Sequence, residues 1–234
     1  MGTPIYDKKD YCRERFVENI KKLDYPADKL QWCLVDNSQR PAYYHKLRRL
    51  YPGHAWRVKR GSNTRDALRN AMNFLRLKAI EEDYDYLLIV ESDLFPEPDA
   101  LKKLLRHHKD VVGLPYEIGF NKNRGLCVFT LDKKTIGMGT RRLTPEESKT
   151  FLDGSLKKVH GMGVGCCLIK REILEEFPFW YSAADNDRMK GMTIRKHPDV
   201  YFYLDLHNKG RRVFLDTSTL VYHENSDWGL VKDT

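Results

Sequence analysis

Tyr86-Leu-Leu-Ile-Val90, followed at once by Glu91-Ser92-Asp93, is the stretch of this sequence that decides the fold. Five apolar residues between polar neighbours are too few for a buried helix and show no 3.6-residue period. They read instead as a strand covered on both faces, as in a parallel sheet. The run ends abruptly in two carboxylates spaced i, i+2. In open parallel sheets ligands bind beyond the carboxyl ends of the strands, so these acids are expected to project into a crevice.

The flanking sequence alternates in the same sense. Upstream, helical patterns over 10–23, 41–51 and 64–81 alternate with short apolar runs at 31–35 and 55–59. Downstream, a helix is expected over 99–107 and strands over 111–114 and 166–169. A helix follows over 171–177, another over 199–208 that stops at Gly210, and two last strands over 212–215 and 220–222. Alternation of this kind predicts an α/β fold with a mainly parallel central sheet flanked by helices. Residues 117–160, rich in Gly, Lys and Thr, are expected to be less regular, with two short antiparallel strands and a mobile loop. Met1–Tyr6 reads as the end of a strand and its loop, so either the first strand is very short or the chain begins downstream of a longer one. No repeat or linker divides the 234 residues, and a single domain is expected, with a nucleotide-binding half over about 1–115 and an acceptor half over about 116–234.

Bulk properties narrow the classes of function. The formal charge of +8 favours anionic partners, but the basic residues are dispersed in small clusters such as Lys8-Lys9 and Arg48-Arg49. No basic helix carries interleaved aromatics, so nucleic acid is not an expected partner. The apolar run at 86–90 is far short of the roughly 20 residues that span a bilayer, so no transmembrane segment is expected. The basic surface remains compatible with peripheral contact with a membrane. Five cysteines without a C-x-x-C pair, and no apolar leader, point to a cytoplasmic protein with reduced thiols.

Four short motifs occur in order: Thr3-Pro-Ile-Tyr6, Val35-Asp-Asn-Ser38, Leu68-Arg-Asn70 and Glu91-Ser-Asp93. Together they resemble the GT-A glycosyltransferases, above all the family 2-like group, over essentially residues 3–225. The resemblance implies a single GT-A domain and a nucleotide-sugar donor (a UDP-, GDP- or dTDP-sugar). A Mn²⁺ or Mg²⁺ cofactor and a saccharide or lipid-linked acceptor complete the expectation. Thr3, Pro4 and Tyr6 would line the nucleoside pocket. Asp36 would accept a hydrogen bond from base or ribose, Arg65 or Arg69 would face the donor, and Ser92 belongs to the same site. Each has an ordinary competitor: packing for Tyr6, a turn or cap for Asp36, a solvated helix face for the two arginines.

The central motif departs from the family pattern, because its first acid is Glu91 and not Asp. Asp93 is therefore the main metal-ligand candidate, with Glu91 as a weaker one. His223, in Val221-Tyr-His-Glu-Asn225 directly after a strand, is the candidate for the late histidine ligand. Position 227 is Asp, so His223-Glu224 does not begin a zinc-protease motif. An inverting transfer needs a carboxylate to take the acceptor proton. The family places an acidic pair at the start of a late helix, and here Asp199 matches its second acid while His197 stands two positions earlier. Asp199 is thus the candidate base, although an acid at a helix start is also a common cap. His160-Gly-Met-Gly-Val-Gly165 fails the dinucleotide fingerprint, and the resemblance makes it a flexible loop near the acceptor whose small residues admit a sugar. Phe179-Trp180-Tyr181 offers either a sugar platform or core packing.

Two other classes share parts of this pattern. A sugar nucleotidyltransferase normally carries a Gly-rich basic loop after its first strand, which Thr3–Asp10 lacks. A non-catalytic sugar- or nucleotide-binding module would keep the fold without turnover.

Overall fold

The computed structural model describes residues 1–119, 125–132, 139–182 and 197–224. Its core is an eight-stranded sheet of order β11-β14-β6-β13-β4-β1-β2-β3. These strands are β1 (Gly2–Ile5), β2 (Cys33–Asp36), β3 (Ala55–Arg57), β4 (Tyr86–Val90), β6 (Val111–Gly113), β11 (Leu156–Val159), β13 (Cys166–Lys170) and β14 (Val213–Asp216). Six run in one direction; β13 and β11 run against them. The sheet is mainly parallel, as the apolar run at 86–90 predicts. Smaller pieces complete the β structure: β5 (Leu94–Phe95) with β15 (Tyr222–His223), β7 (Glu117–Ile118) with β8 (Gly125–Leu126), and β9 (Val128–Asp132) between β10 (Gly139–Arg142) and β12 (Gly161–Met162).

Alternate strand residues feed two apolar layers. On one face Val35, Ile89 and Cys167 meet Ala71, Met72, Leu75 and Ala79 of α3 (Thr64–Glu81). On the other, Leu34, Leu88 and Val90 meet Phe16, Val17 and Ile20 of α1 (Arg13–Ile20), Leu47 of α2 (Ala42–Leu50) and Leu104 of α4 (Ala100–Leu105). Each such aliphatic side chain contributes about 1.5–3 kcal/mol by leaving water. α3 starts where Asn63 caps it, its side-chain oxygen accepting from the backbone N–H groups of Arg65 and Asp66.

The region after β7 is more regular than its composition predicts. α5 (Pro145–Phe151) is held by a complete capping box between Thr144 and Glu147. β11 joins the edge of the main sheet by pairing antiparallel with β14. Residues 120–124 and 133–138 of that region lie outside the described residues, and so do 183–196 and 225–234, which include Asn225 and position 227. β15, near the last strand expected over 220–222, pairs with β5. β1 is a full four-residue strand between β4 and β2, and α6 (Arg171–Glu176) follows β13 as expected.

α7 (Pro198–Asn208) is buried along most of its length, through Val200, Tyr201, Phe202, Tyr203, Leu204 and Leu206. It ends where Gly210 adopts φ +70°, the left-handed conformation that suits glycine. Gly161 lies so close to Tyr203 that an added Cβ would stand 2.9 Å from its ring. A Cβ on Gly163 would fall 1.9 Å from Oη of Tyr116 and 2.7 Å from Sγ of Cys127. This stretch is buried, and its glycines serve the close approach of the backbone to two tyrosines rather than to a sugar. Gly163→Ala is expected to cost about 3 kcal/mol, read as a lowered urea midpoint with an unchanged slope.

Candidate active site

The strand order reverses next to β1, since β2 lies on one side of it and β4 on the other. Such a switch point opens a crevice at the carboxyl ends of the strands. Tyr6 and Lys9 follow β1, Asp36 ends β2, and Glu91, Ser92 and Asp93 follow β4.

Asp93 is fully buried, and one carboxylate oxygen is crowded. Its Oδ2 lies 2.8 Å from Nζ of Lys9 and 3.2 Å from Nε2 of His223. Its Oδ1 has no hydrogen-bond partner among the described residues. His223 comes to this place through the β5–β15 pairing, which sets it opposite Leu94, and the Glu224 N–H donates to the Asp93 carbonyl at 2.9 Å. Its Nδ1 lies 2.6 Å from the Glu117 carbonyl, so that nitrogen carries a proton and Nε2 faces Asp93. Burial opposes the charged forms of both groups. For His223 the Asp93 carboxylate more than offsets that and raises its pKa; for Asp93 His223 and Lys9 do the same and lower it.

Glu91 is partly buried at the strand end. Burial raises its pKa, Lys9 and His223 oppose the rise, and the Asp93 and Asp199 carboxylates add to it. Asp199 therefore lies within electrostatic reach of this cluster. Helix α7 begins at Pro198 with His197 at the cap position, so Asp199 is not the N-cap. It sits in the first turn, with Oδ1 accepting from the Val200 N–H at 2.9 Å. A carboxylate there is favoured by the helix dipole.

Asp93 and His223 present the donor set of a divalent-ion site. A carboxylate and an imidazole suit Mn²⁺, and the backbone-bonded Nδ1–H fixes the ring as in many metal-ligating histidines. Their 3.2 Å separation is close to the roughly 3 Å between adjacent ligands of an octahedral ion with bonds of about 2.1 Å. The unpartnered Oδ1 is a further donor. Among the described residues no group of three or more acidic, histidine or cysteine side chains is gathered as a preformed metal site.

The remaining predicted residues fall into three places. Thr3 and Pro4 are buried within β1, and Oγ1 of Thr3 has no hydrogen-bond partner among the described residues. Ser92 is buried in the turn, where its carbonyl accepts from the Cys12 thiol at 3.2 Å. Asp36 is fully buried; its Oδ1 accepts from the backbone N–H and hydroxyl of Ser38, while Oδ2 has only Arg57 at 3.9 Å. Burial raises its pKa, and Ser38 counters that. Tyr6 lies under the guanidinium of Arg60, 5.2 Å from the ring centre.

Arg65 and Arg69 both lie against the Tyr181 ring, at 5.1 and 5.5 Å. The Tyr181 hydroxyl donates to Asp66 at 2.9 Å. Nη1 of Arg65 is buried without a partner among the described residues. Phe179-Trp180-Tyr181 thus divides its roles. Phe179 stacks on Phe202 in the core, Trp180 is partly exposed and donates to Asp205 at 2.6 Å, and Tyr181 braces the arginines.

Sequence reasoning noted Lys8-Lys9 only as a basic cluster and missed Lys9 in the site. Its one local signal is its position just past β1. Arg60 carried none, because its partner is remote in sequence, and Tyr181 was read only as part of an aromatic run.

No protein-family profile matches the sequence. Solved structures do resemble the fold. One is GalNAc-T7 with UDP, GalNAc and Mn²⁺, with a TM-score of 0.59 at 13% identity, covering 95% of this chain and 43% of that one. A second is the mannosyltransferase PcManGT from Pyrobaculum calidifontis in complex with GDP-Man and Mn²⁺, with a TM-score of 0.53 at 17% identity, covering 94% and 55%. A third is TarS of S. aureus, with a TM-score of 0.52 at 13% identity, covering 97% and 36%. This chain spans about half or less of the length of these proteins.

Proposed function

We propose, from the GT-A fold shared with these structures, that this chain is a metal-dependent glycosyltransferase of family 2-like type, a single domain that moves a hexose from a nucleoside-diphosphate donor to an acceptor hydroxyl with inversion. The observation that carries the reading is the meeting of Asp93 and His223, 130 positions apart, at the end of β4 with Asp199 in electrostatic reach. The Mn²⁺ and the UDP or GDP-Man in two of the similar structures support the same chemistry.

In this reading Asp93 and His223 hold Mn²⁺ or Mg²⁺, and Glu91 contributes through charge. When bound, the ion offsets charge on the departing diphosphate. Tyr6 and Asp36 engage the nucleoside, the second through Oδ2, which accepts no hydrogen bond among the described residues, while Thr3, Pro4 and Ser92 form the wall of the same pocket. Arg65 and Arg69, held against Tyr181, face the donor and add positive charge. Asp199 accepts the proton of the acceptor hydroxyl as that oxygen attacks the anomeric carbon. The acceptor is a saccharide or a lipid-linked saccharide, the second reached through peripheral contact with a membrane. No described helix is long and apolar enough to cross one. The five buried cysteines, none of them in a disulfide, fit a reducing, cytoplasmic setting.

The test is thermal unfolding with UDP, GDP, CDP and dTDP, each with and without Mn²⁺. One nucleotide is expected to raise the midpoint only when the metal is present. A flat response to all four would sink the donor-site reading and leave the fold.

A further inference from the structure

We propose that Lys9 is a built-in cation of the acidic cluster, which a divalent ion must displace, so that metal and nucleoside diphosphate bind cooperatively. The inference rests on Asp93 and His223 being the metal pair.

Nζ of Lys9 lies 2.8 Å from Oδ2 of Asp93, the same oxygen that faces Nε2 of His223, and the lysine side chain is only 12% exposed. An ammonium buried to this degree is tolerable only when paired, and Asp93 and the nearby Glu91 are what pair it. Its backbone is anchored as well: the Lys9 N–H donates to the Tyr6 carbonyl at 2.9 Å, and the Cys12 thiol fastens the same turn to Ser92. The ammonium therefore stands at Oδ2, the Asp93 oxygen that faces His223 and that an ion held by both residues would share. Two cations at one buried oxygen repel strongly.

With an ion held by Asp93 and His223, Lys9 would leave the Asp93 oxygen. The flexible stem of a lysine and its three donors let it follow another anion near β1. A nucleoside diphosphate entering at the same strand ends offers that anion. With metal alone the displaced lysine would keep the attraction of Glu91 but lose its contact with Asp93, whereas a bound diphosphate would offer it a second anion. The coupling is reciprocal, so the nucleotide raises metal affinity by the factor by which metal raises nucleotide affinity.

The experiment is Mn²⁺ titration followed by electron paramagnetic resonance, with and without UDP or GDP, on the wild type, Lys9→Met, Lys9→Gln and Lys9→Arg. Without nucleotide, Lys9→Met should bind Mn²⁺ about tenfold tighter than the wild type. Lys9→Gln, which keeps a polar contact without the charge, should do the same and serves if the methionine variant folds poorly. Lys9→Arg should stay as weak as the wild type. The gain in Mn²⁺ affinity from nucleotide should shrink by about tenfold in the two neutral variants. If the wild type takes up Mn²⁺ with nucleotide but neither neutral variant binds it more tightly alone, the role of Lys9 is overturned and the metal pair stands. If no protein takes up Mn²⁺ under any condition, the metal reading itself fails and the inference with it.

Discussion

Asp199→Asn is expected to lower the rate of sugar transfer about 10³-fold while leaving nucleotide binding unchanged, because positioned general bases typically contribute 10²–10⁴-fold. The substitution keeps shape and the hydrogen bond from the Val200 N–H, but removes the acceptor of the proton. Helix α7 is packed by Tyr201, Phe202 and Tyr203, so its N-terminus does not depend on this carboxylate. Transfer should be followed with the donor found by thermal shift, and donor affinity measured separately. A variant that transfers at the wild-type rate would remove Asp199 from the mechanism. Equal losses in binding and rate would make it a structural acid.

Asp93→Ala should abolish the metal-dependent stabilisation by nucleotide. At a ligand concentration of 100 Kd that stabilisation amounts to about 2.7 kcal/mol, or about 5–10 °C for a chain of this size. The variant also leaves Lys9 and His223 without their carboxylate, and unpairing a buried charge commonly costs about 3–5 kcal/mol. The decisive quantity is therefore the shift on adding nucleotide and Mn²⁺, not the starting midpoint. Asp93→Asn keeps the side-chain volume and serves as the second variant. A full metal-dependent shift in both would move the metal away from β4.

Much of the fold was legible in local pattern. The run at 86–90 declared a buried strand, and α3 occupies residues 64–81 as its periodicity predicts. Gly210 ends α7 because a left-handed residue is cheapest as glycine. Region 117–160 carries the short antiparallel strands expected of it but also a capped helix and an edge strand of the main sheet, and residues 161–165 are buried. The order of α5 comes from a capping box, and β11 gains its place from a partner that follows it in sequence. Gly163 and Gly165 look like a flexible segment only until Tyr116 is placed against them. Asp199, read as the candidate base with a helix cap as its ordinary alternative, is not the N-cap, because Pro198 at the first helical position moves the cap back to His197.

The sequence by itself determined the alternation of strands and helices, the carboxylates at the end of β4 and the order of the four motifs. These depend on side-chain period and on neighbours a few residues away, which any stretch of chain displays. Only the tertiary structure decided that His223 meets Asp93, that Lys9 already stands on that carboxylate, and that Tyr181 braces Arg65 and Arg69. Those contacts join residues far apart in the chain. Their energy depends on distances of about 3–5 Å that exist only once the sheet has set which strand ends lie side by side.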